Sequence, residues 1–183
     1  MTSISRVRLT GLVVLLAACA LVVFAAWFRG REAPGLEQQA LDGYPGLFVD
    51  VQTCALRGDF LTNGRRLEEL GLLRADRYPY SAGDGVRAVQ RFGEAEACYR
   101  DAGSHGDAAR AGRLRAALSA RVNTDYAAAR LNLMTALDQA RWSDALSEID
   151  RLLLLTAHLR RHEYVEWLNE IVGKIAARAS TTL

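Results

Sequence analysis

The chain has 183 residues, half of them apolar, with 23 basic and 21 acidic side chains. Arg6 and Arg8 precede the first apolar run and no acid precedes Glu32, so from residue 29 onward 21 basic and 21 acidic residues cancel. That balance argues against nucleic acid as the main ligand, because phosphate recognition needs concentrated positive charge. Only 3 prolines occur. With Ala and Leu abundant, the composition favours helix.

Residues 1–8 form a short tail. Residues 9–28, LTGLVVLLAACALVVFAAWF, carry no charge over 20 positions. At about 1.5 Å rise per residue such a helix spans roughly 30 Å, the hydrocarbon thickness of a bilayer. The run is predicted to be an uncleaved transmembrane signal anchor in contact with lipid. Arg6 and Arg8 before it are answered by Arg29 and Arg31 after it, which weakens the positive-inside signal. The short two-arginine tail still favours a cytoplasmic N-terminus. The expected location is therefore the inner membrane, single-pass, with the bulk of the chain in the periplasm. Trp27 and Phe28 fall where an interfacial aromatic belt lies. A cleaved secretory signal has a shorter apolar region of about 7–15 residues. A second alternative is that Leu16-Ala17-Ala18-Cys19 resembles the lipobox of bacterial lipoproteins, which makes Cys19 a lipidation candidate. Against it, residues 20–28 are apolar where a lipoprotein carries a polar tether. In a membrane helix Cys19 is simply a small apolar side chain.

Residues 29–46 read as a linker punctuated by Pro34, Gly35, Pro45 and Gly46. The domain follows at 47–183. Residues 47–57, LFVDVQTCALR, have mixed spacing and fit a helix or a strand. Asp59 is a cap for FLTNGRRLEELGLL, which is helical except at Asn63-Gly64. RADRYPYSAGDG at 74–85 reads as a loop. A helix over 86–102 follows, GSHG breaks it, and an Ala-rich helix over 107–122 sets Leu114 and Leu118 on one face. Asn123, Thr124 and Asp125 are N-cap candidates for the next helix. That helix carries Tyr126, Ala129, Leu133, Ala136, Leu137 and Ala140. Trp142, Ala145, Ile149 and Leu152 begin another, and 160–179 carries Tyr164, Leu168, Ile171 and Ile175. No segment alternates with period 2, so the predicted class is all-α, a chain of antiparallel helical hairpins.

One pattern recurs. Phe92, Ala95, Tyr99 and Ala102 are spaced 3, 4 and 3 apart, and so are Tyr126, Ala129, Leu133 and Ala136, 34 residues on. Trp142, Ala145, Ile149 and Leu152 repeat the template. The interval matches the tetratricopeptide repeat, a helix–turn–helix unit. RFGEAEACYRDAG (91–103) resembles the second helix of such a unit, and NLMTALDQARWSDALSEIDRLL (132–153) resembles the end of a first helix, a turn and a second helix. Small residues such as Ala95, Ala102, Ala136 and Ala145 would be the points where helices approach closely. The turn before Trp142 is short by about one residue against the family pattern. Ala140 and Arg141 stand where a glycine is usual. The resemblance covers about 85–178, and helices at 47–73 and 160–179 would cap the ends.

Chemistry is sparse. His158 and His162 stand four apart with Glu166 four further on, a spacing that would align three metal ligands on a helix. Arg160 and Arg161 between them would repel a cation, so a solvated helix face is the preferred reading and no metal is expected. His105 reads as a loop residue. Cys54 and Cys98 leave two readings open: a disulfide in an exported domain, or a buried thiol at Cys98. Gly83-Asp84-Gly85 lacks the strand and the Lys-Ser/Thr pair of a phosphate loop. Glu68-Glu69 and Glu94/Glu96 read as solvated surface. No nucleophile motif appears, so neither enzyme activity nor a cofactor is expected.

The resemblance implies partner binding in a groove lined by first helices, with Leu131, Thr135, Asp138 and Gln139 facing it. The expected function is a non-catalytic, membrane-anchored protein–protein interaction scaffold, an accessory subunit of an envelope, export, pilus or motility complex. Two alternatives remain. One is a structural subunit with a plain helical bundle; the other is a metal-dependent enzyme built on the His158/His162 face.

Overall fold

The computed structural model describes residues 43–55, 58–159 and 161–181. The apolar run 9–28, with Cys19 inside it, and most of the linker lie outside the described residues. Among the described residues the protein is all-α, with five helices and no strand: α1 (Phe60–Arg77), α2 (Ala82–Asp101), α3 (His105–Asp138), α4 (Trp142–Leu155) and α5 (Glu163–Thr181). None of these is long and apolar enough to cross a membrane. Each helix packs on its neighbours in the chain, and α2 also touches α4.

Local chemistry sets the boundaries. The Asp59 carboxylate accepts from the amides of Leu61 and Thr62, both at 3.2 Å, and so caps α1. The α2–α3 turn closes when the Ser104 amide bonds the Tyr99 carbonyl at 2.9 Å, with Gly103 left-handed at φ 70°. The α3–α4 turn closes the same way. The Arg141 amide bonds the Ala136 carbonyl at 2.8 Å, with Ala140 at φ 53° in the left-handed position. Ala140 occupies the place where glycine fits without a steric cost.

Four boundaries differ from expectation. Residues 47–55 form neither helix nor strand but an irregular strap. The loop expected over 74–85 shrinks to residues 78–81, because α1 runs through Arg77 and α2 already begins at Ala82. Asn123, Thr124 and Asp125 cap nothing: α3 is continuous over 34 residues. Its buried stripe of Val122, Tyr126, Ala129, Leu133 and Ala136 keeps helical spacing through that point, and the Thr124 hydroxyl donates to the Ala120 carbonyl at 3.0 Å inside the helix. The helix expected from residue 160 begins at Glu163.

The α1–α2 seam is built on glycine. A Cβ on Gly64 would lie 2.7 Å from the Tyr99 ring, and one on Gly71 would lie 2.6 Å from the Phe92 ring. Both rings are fully buried. Gly64 and Tyr99 pair, and seven residues on and seven back Gly71 and Phe92 pair, which is the register of antiparallel helices. Gly64 is thus a docking point inside α1, where a break was expected. Ala95 is buried in this cluster with Leu67, Cys98, Ala108 and Ala111. Ala102 is exposed at the end of α2 and brings no helices together. The other end of the domain is aliphatic. There α4 buries Ile149, Leu152 and Leu155, and α5 buries Leu168, Ile171 and Ile175, all at 0% exposure. Each such side chain contributes about 1.5–3 kcal/mol of burial free energy.

Candidate functional site

The strap of residues 43–55 lies against the helices and is held at four points. At its start the Arg130 guanidinium sits 3.4 Å from the Tyr44 ring centroid and 5.1 Å from that of Tyr126, so the cation is shared by two aromatic faces. Leu47 is buried at 4% exposure, and its carbonyl accepts from His158 Nε2 at 2.7 Å. A carbonyl can only accept, so Nε2 is the donor in this bond. Further along, Gln52 packs on Gly93 of α2, where a Cβ would lie 2.7 Å from Gln52 Cγ. Finally Cys54 is bonded to Cys98 of α2, with the Cα atoms 4.7 Å apart. Between strap, α2 and α3 remains a cavity of about 280 Å³, bordered by Phe48, Val89, Arg115, Ala116 and Ser119.

Two ion networks fix the helices under this site. The Glu68 carboxylate, 7% exposed, accepts from Tyr99 Oη at 2.7 Å and from Arg110 Nε and Nη2 at 2.8 Å each, joining α1, α2 and α3. The Arg110 guanidinium holds the Glu68 carboxyl below its ordinary range, against the opposing effect of burial. Burial, together with the negative Glu68, pushes the Tyr99 phenol up to about 12, so it stays protonated and donates. At the other end of the seam, Asp84 lies near Arg74 at 2.8 Å, Arg77 at 3.4 Å and Arg87 at 3.7 Å. Tyr78 donates to Asp125 of α3, and burial followed by that bond raises its phenol well above the ordinary tyrosine value. The Arg121 guanidinium lies 5.2 Å from the same ring.

Glu68 was expected on the solvated surface and is instead a buried tie. The available signal was its position beside Leu67 and Gly71, on the stripe that α1 buries. Glu94 and Glu96 are partly buried and engage Arg91 and Arg100 at 2.5 Å each, with Arg115 at 3.1 Å from Glu96.

The expected groove residues lie elsewhere, on the last turns of α3 and at its C-cap, Gln139. Leu131 is 68% exposed, and Asp138 and Gln139 are exposed. Thr135 is partly buried, and its hydroxyl donates to the Leu131 carbonyl at 2.9 Å. A shallow hollow opens between α3 and α4, bordered by Asn132, Thr135, Arg141 and Glu148. Of the four expected residues it takes in Thr135 alone.

The histidines do not share a helix face. His158 lies in the turn after α4, and His162 precedes α5 with its Nδ1 accepting from the Tyr164 amide at 3.2 Å. The spacing of four loses its meaning because the chain is not helical there. Among the described residues no group of three or more His, Cys, Asp or Glu is placed to hold a metal ion. His105 is the first residue of α3 and not a loop residue. Gly83-Asp84-Gly85 forms the first turn of α2, where a Cβ on Gly85 would lie 2.3 Å from the Tyr78 ring. Comparison with known protein families, curated proteins and solved structures finds no match to the chain.

Proposed function

We propose that the protein is a non-catalytic interaction scaffold, anchored in the inner membrane by residues 9–28, with its helical domain on the extracytoplasmic side. The observation that carries this reading is the Cys54–Cys98 disulfide. Such bonds persist in oxidising compartments and are rare in the cytosol. An extracytoplasmic domain is what an uncharged N-terminal run behind two arginines would deliver. The helical hairpins and the recurring small–aromatic pattern support the kinship with tetratricopeptide units. The continuous α3 leaves the α3–α4 hairpin as the part that most resembles one. Its partner would be another protein of an envelope, export, pilus or motility assembly, and the surface offered to it is the exposed Leu131, Asp138 and Gln139 with the partly buried Thr135 between them.

Two measurements on the full chain in its native membrane test this. A reporter fused after residue 183 should give an extracytoplasmic signal; a cytoplasmic one overturns the topology. A photo-crosslinker at position 131 should yield one discrete protein adduct, and Asp138→Arg should diminish it. An adduct pattern that Asp138→Arg leaves unchanged removes the stripe as the contact.

A further inference from the structure

We propose that the groove formed by α2, α3 and the α4–α5 corner is a binding site for an extended peptide, and that residues 43–55 are its resident ligand, locked in place by Cys54–Cys98. The proposal rests on the scaffold reading above and deepens it by naming a second site and the chemistry it accepts.

The receptor side is shaped for an extended chain. Arg130, backed by Tyr126, offers a cation to an aromatic ring, here Tyr44. Three residues on, an aliphatic side chain is buried, here Leu47, and His158 Nε2 donates to that residue's carbonyl at 2.7 Å. A main-chain acceptor is present on any peptide, so this contact fixes register without demanding a side chain. Gly93 lies in the middle of α2, where glycine is a poorer helix former than alanine. Its missing Cβ is the space that Gln52 occupies. A bare backbone at a helix surface is what a strand-like ligand needs for close approach.

The resident ligand fills the groove incompletely. A hollow of about 280 Å³, open to solvent, remains beside Phe48, bordered by Val89 and Ala116 on the apolar side and by Arg115, Ser119 and Asp50 on the polar side. A competing segment with a bulkier residue there would cover more of the hollow than the strap does. The ligand class is therefore an extended segment of the form aromatic, two spacers, aliphatic, followed by a bulky residue.

The disulfide decides access. A tethered segment competes at an effective concentration of the order of millimolar, and the covalent bond makes exchange slower still. Cys98 is fully buried and Cys54 only partly, so we place thiol attack at Cys54. A dithiol reductant attacks the Cys54 sulfur, and the S–S bond breaks with its electron pair leaving on Cys98, which takes up a proton. The second thiol of the reductant then displaces Cys54 as a thiol, so the reductant becomes a disulfide and both cysteines are reduced.

The test uses the full chain in detergent with Leu47→Ala, which weakens the resident, and a fluorescent 13-residue peptide of residues 43–55 bearing Cys54→Ser. Anisotropy should show at least tenfold tighter peptide binding after dithiothreitol than before it. The peptide carrying Leu47→Asp should lose at least tenfold. The full chain with Cys54→Ser should bind the peptide with no reductant present. Equal affinity in both redox states, no binding to the reduced chain, or an undiminished Leu47→Asp peptide overturns the proposal. So does loss of the helical circular dichroism signal on reduction, since the strap would then be part of the core and not a ligand. A retained crosslink at position 131 alongside a failed peptide assay rejects this groove alone. Loss of that crosslink with a successful peptide assay rejects the stripe and keeps the groove.

Discussion

The two ends of the domain are held together by different means. At the α1–α2–α3 end, glycines meet buried rings, a carboxylate with almost no exposure ties three helices, and a disulfide joins the strap to α2. At the α4–α5 end the fully buried side chains are mostly leucine and isoleucine, with Tyr164 and Val165 beside them; Thr156, the one buried hydroxyl-bearing aliphatic residue among the described residues there, donates to the Leu152 carbonyl at 2.8 Å. Aliphatic packing tolerates exchange of similar volumes, whereas a glycine under a ring has no volume to exchange. The first end is thus specified by shape and charge, and the second by burial.

The largest effect should come from the covalent tie. Reducing Cys54–Cys98, which closes a sequence separation of 44 residues, should lower the unfolding free energy by about 2–4 kcal/mol in a denaturant titration. Volume comes next. Gly71→Ala should cost about 1–2 kcal/mol, because overpacking against the immobile Phe92 ring exceeds the gain in helix propensity. Ile171→Leu, at the aliphatic end, should stay nearer to wild type in the same titration. If Gly71→Ala stabilises, the contrast between the ends fails.

Charge is the third lever. The Glu68 carboxyl is held below its ordinary value of 4.5 by Arg110. A depressed folded-state value means the tie contributes fully above about pH 4.5 and is lost as pH falls through the lowered value. Glu68→Gln should cost about 1 kcal/mol at pH 7 and should flatten the loss of stability between pH 5 and 3 relative to wild type. An unchanged acid limb would show that Glu68 titrates normally. The smallest effect sharpens the comparison of the two turns. Ala140→Gly should stabilise by up to about 1 kcal/mol, and Gly103→Ala should destabilise by a similar amount, because both positions are left-handed. Thermal midpoints of the pair check the signs.

Much of the architecture was legible in the chain. The period of apolar residues marked the helices, and buried Ala95, Tyr99, Tyr126, Leu133 and Ile149 all sat on the stripes that spacing identified. What escaped was decided by tertiary contacts. Asn63-Gly64 looks like a breaker until Tyr99 arrives to cover the glycine. Asn123, Thr124 and Asp125 have cap chemistry, but the buried stripe running through them keeps the helix intact. Residues 47–55 gave no clear period because a strap is shaped by what it lies on. Glu68 sits on the stripe that α1 buries, but the partners that make a buried carboxylate tolerable, Tyr99 and Arg110, are 31 and 42 residues away. The strap site was invisible for the same reason: Leu47 and His158 are 111 residues apart.

The locked strap and the extracytoplasmic location both stand or fall with the state of the two cysteines in the living cell. Intact cells producing the full chain would be quenched with an alkylating reagent, and the protein digested and mapped without reductant. The expected result is a linked peptide pair containing Cys54 and Cys98, converted to two alkylatable thiols by dithiothreitol. Recovery of both cysteines alkylated before any reductant is added would contradict it, and with it the extracytoplasmic location and the locked strap.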